Sequence, residues 1–356
     1  MKKIEMVHNK RKAFIITQGK VCVVMARLVR SIRTDMADES RAAGPGARMI
    51  QQQGVQDGIR VEQNGDQQVS ITRVHVVSPL GEQNTGKPMG TYITMDMPQI
   101  RERSRDLYEK ACRMLARELE NLIQINDRDT VLVVGLGNWN VTADSLGPRV
   151  SSHLMVTRHL HEYLPQEIDD GVRPVCAIAP GVLGLTGIET GHIIKGVVDQ
   201  IKPALVIAVD ALASRNMNRV NASVQLANTG IAPGSGIGNK RMAIAQETLG
   251  VPVIAIGIPT VVDAATIVSD TIDLMIDSMI NQSATDSGLY TMLSNIDRDE
   301  KYQTIISLLE PYSGNLVVTP KDTDEIVEYL SKLVANGINM ALHKNIDAKD
   351  VDRFIQ

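Results

Sequence analysis

Two aspartates, Asp144 and Asp210, each follow a short run of apolar, mostly β-branched residues. The first run, TVLVV at 130–134, leads into the loop GLGNWNVTADSLGP, and the second, LVIAV at 205–209, runs straight into Asp210. Runs of this kind suggest parallel strands covered on both faces. In open α/β sheets the reactive crevice lies at the carboxyl ends of such strands. Two acids delivered there can share a proton, hold a metal or activate a water. Asp also favours the N-cap of a helix, and pattern alone leaves both readings open.

Other motifs carry less. Gly135-Leu136-Gly137 after a strand invites a dinucleotide reading, but Asn140 stands where the third glycine belongs, and a tight turn near a site fits better. GSGIGNK at 234–240 lacks the Walker spacing and has no Ser or Thr after its lysine; it reads as a loop shaping a cleft, with an anion-binding nest as the alternative. His153, His159 and His161 lie near one helix with Glu162, but not as HExxH, so a solvated or core role is favoured over a metal site. His192 sits close to Glu189 in a Gly-rich loop. There is no GxSxG elbow. Cys22, Cys112 and Cys176 are scattered, which implies neither a disulfide framework nor a zinc knuckle, and a reducing cytosol fits such usage.

The 356 residues suffice for a sizeable core. A formal net charge of -4 supplies no field favouring nucleic acid or an anionic membrane, and one tryptophan, Trp139, offers no stacking surface. No apolar run reaches the length of a membrane span. The first dozen residues are basic and residues up to about Arg33 read as an appendage, with Met25 as an alternative start. Alternation predicts half-buried strands at 69–77 and 91–97, and further strands are predicted at 174–179, 220–225, 253–258 and 316–319. Helices are predicted over 99–125, 149–163, 193–200, 270–279 and 323–335, with 283–299 a polar excursion at the surface. Strands alternating with helices predict an α/β fold with a mostly parallel, doubly wound sheet and helices on both faces.

Several long segments in order, SIRTDMADES, GTYITMDMP, VLVVGLGNWNVTADSLGPRV, APGVLGLTGIET, IKPALVIAVDALASR and TGIAPGSGIGNKR, resemble the germination protease family of endospore-forming bacteria. The resemblance runs from about Arg33 to the C-terminus, well over four-fifths of the chain. It implies a fold similar to hydrogenase maturation endopeptidases. It also implies a cytoplasmic, spore-core protease stored as a zymogen, assembled as a homotetramer, and acting on small acid-soluble spore proteins. Neither cofactor nor direct nucleic-acid or membrane partner is implied. The family's two proposed catalytic aspartates correspond to Asp144, in TADSLGP, and Asp210, in IAVDALASR.

The resemblance further implies self-cleavage between Asp35 and Met36, dividing a segment at 1–35 from a single α/β protease domain at 36–356. Gly137, Asn138, Gly181 and Glu189 belong to the Gly-rich loops expected to shape the cleft or meet an oxyanion. The maturation relatives use acids and a histidine to bind metal, but no histidine here is assigned to that place, so metal-free catalysis by the pair leads. A metal-dependent maturation-type protease and a non-enzymatic binding protein for an anion or a partner are the alternatives.

Overall fold

Strands that are apolar at every position need cover on both faces, and that requirement organises this chain. The computed structural model describes residues 6–9, 12–17, 20–24, 55–233, 241–283, 287–313 and 316–344. Strands β1 (Met6–Asn9), β2 (Lys12–Thr17) and β3 (Lys20–Val24) form an antiparallel sheet of their own within the segment read as an appendage.

The main sheet begins with β4 (Val55–Gln56), β5 (Ile59–Gly65) and β6 (Ser70–Val76). Helix α1 (Pro79–Thr85), strand β7 (Gly90–Asp96) and helix α2 (Arg105–Leu122) follow. Next come β8 (Val131–Gly135), α3 (Leu146–Ser152), α4 (Arg158–Tyr163), β9 (Val175–Ile178), α5 (Leu183–Thr186) and α6 (Thr190–Ile201). The chain continues through β10 (Leu205–Ser214), β11 (Ser223–Ala227), α7 (Gln246–Leu249) and β12 (Val253–Asp263). It closes with α8 (Ala264–Gln282), α9 (Gly288–Ser294), α10 (Arg298–Ser313), β13 (Val317–Val318) and α11 (Thr323–Leu342).

The strand order is β4-β5-β6-β7-β11-β12-β10-β8-β9, with β13 on β12. Strands β12, β10, β8 and β9 are mutually parallel, and the remaining pairings are antiparallel. The α/β class therefore stands, but the sheet is mixed where a mostly parallel one was expected. The alternating strands at the amino-terminal side pair by antiparallel neighbours rather than by crossover helices.

Alternation along β8 and β10 divides the core. Val131, Val133, Leu205, Ile207 and Val209 face a large cluster with α2, α3 and α11, while Leu132, Val134, Val206 and Ala208 face a second cluster with α6 and α7. Helices thus lie on both faces. Helix α11 crosses α2 closely at Gly337, where an added Cβ would come within 2.7 Å of the Leu115 side chain.

Two helix predictions and the predicted surface excursion need amendment. The segment predicted as one helix over 149–163 is two helices, α3 and α4, because Thr157 leaves the helical path to bond β9: its N–H donates to the Val175 carbonyl at 2.9 Å. The stretch 283–299 contains α9, N-capped by the Ser287 hydroxyl, which accepts from the Tyr290 N–H at 3.1 Å. Helix α8 also runs well beyond its predicted bounds at both ends.

One polar tie crosses the large cluster. Glu118 of α2 is buried and accepts from Arg73 Nε on β6 at 2.8 Å, with a second bond from Nη2 to its other oxygen. Glu118→Ala leaves Arg73 half-buried without that carboxylate. It should lower unfolding free energy by about 2–3 kcal/mol, below the usual range for fully buried pairs because Arg73 keeps some hydration. Urea unfolding measures this; a loss under about 0.5 kcal/mol would contradict it.

Candidate active site

The parallel strands end where the chain must turn most sharply. Past β8, the Leu136 N–H donates to the Val209 carbonyl at 2.8 Å, extending the β8–β10 pairing by one residue. Gly137 then adopts a φ of 114°, and an added Cβ would lie 2.0 Å from the Asp144 carbonyl oxygen. Only glycine fits that combination.

Beyond Gly137 the loop folds back on itself. The Asn138 N–H donates to the Asp144 carbonyl at 2.9 Å, Val141 N–H to the Asn138 carbonyl at 3.1 Å, and Asp144 N–H to the Val141 carbonyl at 2.8 Å. From β12, the Thr260 hydroxyl donates to the Ala143 carbonyl at 2.6 Å. The loop ends in a 3-10 turn, Thr142–Asp144, directly before α3. Gly147 brings the first turn of α3 onto the strand ends, where an added Cβ would lie 2.3 Å from the Leu136 oxygen and 2.5 Å from the Val209 oxygen.

Asp210 lies on β10 one residue past the pairing of Val209 with Gly135, opposite Gly257 of β12. It is buried, and its Oδ1 accepts from the Ala211 N–H at 2.9 Å. Strand alternation puts it on the side of the sheet covered by α6 and α7, since Ala208 belongs to that cluster and Val209 to the other. Asp144 and Asp210 thus come from neighbouring parallel strands to one end of the sheet.

The next loop borders the same end. Glu189 stands at the N-cap position of α6, and its Oε1 accepts from the Met242 N–H at 3.4 Å. Gly181, at a φ of 76°, offers its carbonyl to the buried Thr190 hydroxyl at 3.1 Å. Gly191 leaves room for Met242, whose Sδ would lie 2.6 Å from a Cβ there. The 241–243 segment so links the α6 loop to Asp144, which feels the charge of Arg241.

Burial dominates the electrostatics of Asp144. It pushes the carboxyl up to about 6, against the downward pull of the Asn138 N–H and of Arg241.

The sequence-predicted residues divide clearly. Gly137, Asn138 and Asp144 share one loop, Asp210 lies on the adjoining strand, and Gly181 and Glu189 flank them. Asp35, Met36 and the 234–240 glycine run lie outside the described residues. His153 bonds Glu328 at 3.2 Å, His192 is exposed, and no group of three or more His, Cys, Asp or Glu able to hold a metal occurs among the described residues. Sequence reasoning missed Thr260 and Arg241; the only signal for Arg241 was a cation directly after a Gly-rich loop.

The germination protease family model matches residues 34–287 and 277–355. The chain belongs to the germination protease family. It is 48% identical to a germination protease of Clostridium acetobutylicum over 330 residues, covering 92% of this chain and all of that one. It is 49% identical to one of Clostridium perfringens, covering 91% and 99%, and 39% identical to one of Bacillus cereus, covering 91% and 97%. A [NiFe] hydrogenase maturation protease HycI from Thermococcus kodakarensis aligns with 54% of this chain and 99% of its own at a TM-score of 0.26 and 16% identity, too slight a likeness to bear on the fold. The chain is a protease of germination, and no described helix is long and apolar enough to cross a membrane.

The raised value of Asp144 sets a pH dependence with a fixed sign. The folded carboxyl holds its proton more tightly than the unfolded one, whose ordinary value is 3.8. Its contribution to stability is therefore fullest below about 4 and falls as pH rises through about 6. Asp144→Asn should unfold at a higher temperature than wild type near neutral pH, with the advantage vanishing below about pH 4. Thermal melts across this range test it; an advantage that grows on acidification would refute the burial of this carboxyl.

Proposed function

We propose that Asp144 and Asp210 are the hydrolytic pair of a self-processing, aspartic-type endopeptidase. It degrades small acid-soluble spore proteins in the spore core during germination. One observation carries this reading: adjacent parallel strands deliver two carboxyls to the same end of the sheet, one with its proton affinity raised into the range useful for general acid–base chemistry.

In this mechanism one carboxyl of the pair, ionised, draws a proton from the attacking water as the water oxygen bonds the scissile carbonyl carbon. The other, protonated, hydrogen-bonds the carbonyl oxygen as charge develops there. The first then hands its proton to the departing amine as the C–N bond breaks, so the pair ends as it began. The Gly137 N–H suits the oxyanion, because it donates to no described residue, whereas the N–H groups of Leu136 and Asn138 are bonded within the loop and strand. Trp139 and Val141 on this loop, and Leu183, Leu185 and Ile188 on the next, are exposed and suit apolar substrate side chains.

Residues 1–35 act as a pro-segment and 36–356 as the protease domain, with the acidic peptide DMADE at 35–39 serving as the chain's own substrate. The working form is a homotetramer. Leu274 and Met275 on α8 are well exposed, as an interface between copies requires.

Incubation of the purified full chain should yield a product whose N-terminal sequence is MADES. Asp144→Asn and Asp210→Asn should each slow its appearance by about a hundredfold or more while the chain stays folded. A product starting elsewhere, or processing by either variant at the wild-type rate with no added protease, would defeat the proposal.

A further inference from the structure

Arg241 is a half-buried cation at the edge of the candidate site. It makes neither an ion pair nor a hydrogen bond with any described residue. Comparable arginines of this fold are engaged: Arg73 holds Glu118, Arg149 holds Glu328 and Arg219 holds Asp96. Asp144 and Glu189 both lie near Arg241, yet Glu189 turns an oxygen to the Met242 N–H instead.

The backbone beside Arg241 is firmly held. Ile244 exchanges two hydrogen bonds with Ile231, at 2.9 and 2.7 Å, and its side chain is buried in the cluster under α6. Met242 packs against Gly191 in the first turn of α6. Arg241 therefore leaves a fixed frame at the carboxyl end of the parallel strands, where the carboxyls of Asp144 and Asp210 lie. A guanidinium so fixed is prepared for a carboxylate, which it can meet with two parallel hydrogen bonds.

No described carboxylate takes up this guanidinium. A site lined by Asp144, Asp210 and Glu189 repels an anionic peptide unless a cation compensates. We propose that Arg241 receives the carboxylate of an acidic substrate side chain beside the scissile bond and thereby makes cleavage of such a peptide faster than cleavage of its amide counterpart. The inference rests on Asp144 and Asp210 being the hydrolytic pair. It names Arg241 as a specificity residue, separate from bond cleavage itself.

The test compares two decapeptides, SIRTDMADES (residues 31–40) and its Asp35→Asn form. The proteins are wild type, Arg241→Gln, Arg241→Lys and Asp144→Asn, all in the processed form, the variants having been cleaved between Asp35 and Met36 by added wild-type protease that is then removed. Wild type should favour the Asp peptide in kcat/KM by about 10- to 100-fold, the range expected for one charge-assisted contact. Arg241→Gln should bring that ratio to within about threefold of unity, chiefly by losing turnover of the Asp peptide. Arg241→Lys should keep part of the preference, and added salt should erode it in wild type.

The proposal is overturned if Arg241→Gln lowers both peptides by one factor, if the preference survives that change, or if wild type shows no preference or cuts neither peptide. Asp144→Asn should cut neither peptide. Retention of turnover and preference in that variant would sink the hydrolytic pair and leave the assignment of Arg241 standing.

Discussion

Everything at the site depends on how closely the 136–147 loop lies on the ends of β8 and β10. Backbone meets backbone there with no room for a side chain: Gly137 against the Asp144 carbonyl, Gly147 against Leu136 and Val209. The Thr260 hydroxyl fastens the same loop from β12. Three strands thus hold one short loop. Asp144 is fixed where β8 alone would have released it into solvent, and Asp210 needs no loop because β10 carries it directly. A residue held by strand ends is placed more tightly than one on a free loop, which is what hydrolytic chemistry demands of its acids.

The same close packing sets the charge balance. Burial raises the proton affinity of Asp144, and the Asn138 N–H and, to a smaller extent, Arg241 offset it. The result is a carboxyl that holds its proton well above the usual carboxylate range. Arg241 pairs with no carboxylate among the described residues, and its pull on Asp144 stays weaker than the push of burial.

The parallel half of the fold was legible in the sequence, because β8, β10 and β12 begin as continuous apolar runs, and so was the placement of Asp144 on the loop after β8; Asp210, read as following a strand that ends at 209, lies inside β10, which continues to Ser214. The antiparallel half was half legible. The alternation of 69–77 and 91–97 marked β6 and β7, but β5 exposes Glu62, Gln63 and Asn64 and reads as a loop until β6 pairs with it. The division of 149–163 into two helices was hidden, since it rests on Thr157 bonding a strand distant in sequence. Arg241 was hidden for a related reason: a charged residue after a glycine run reads as solvated, and only the contact of its neighbour Met242 with Glu189 and Gly191 brings it to the site.

The central claim is that Asp144 and Asp210 act together on one water. The direct measurement is turnover of a small acid-soluble spore protein by Asp144→Asn, Asp210→Asn and the double variant. Groups that act as a unit are not additive, so the double variant should retain activity within about threefold of the slower single variant. Losses that multiply, with the double variant slower by about the product of the two single effects, would show independent roles and contradict the shared site.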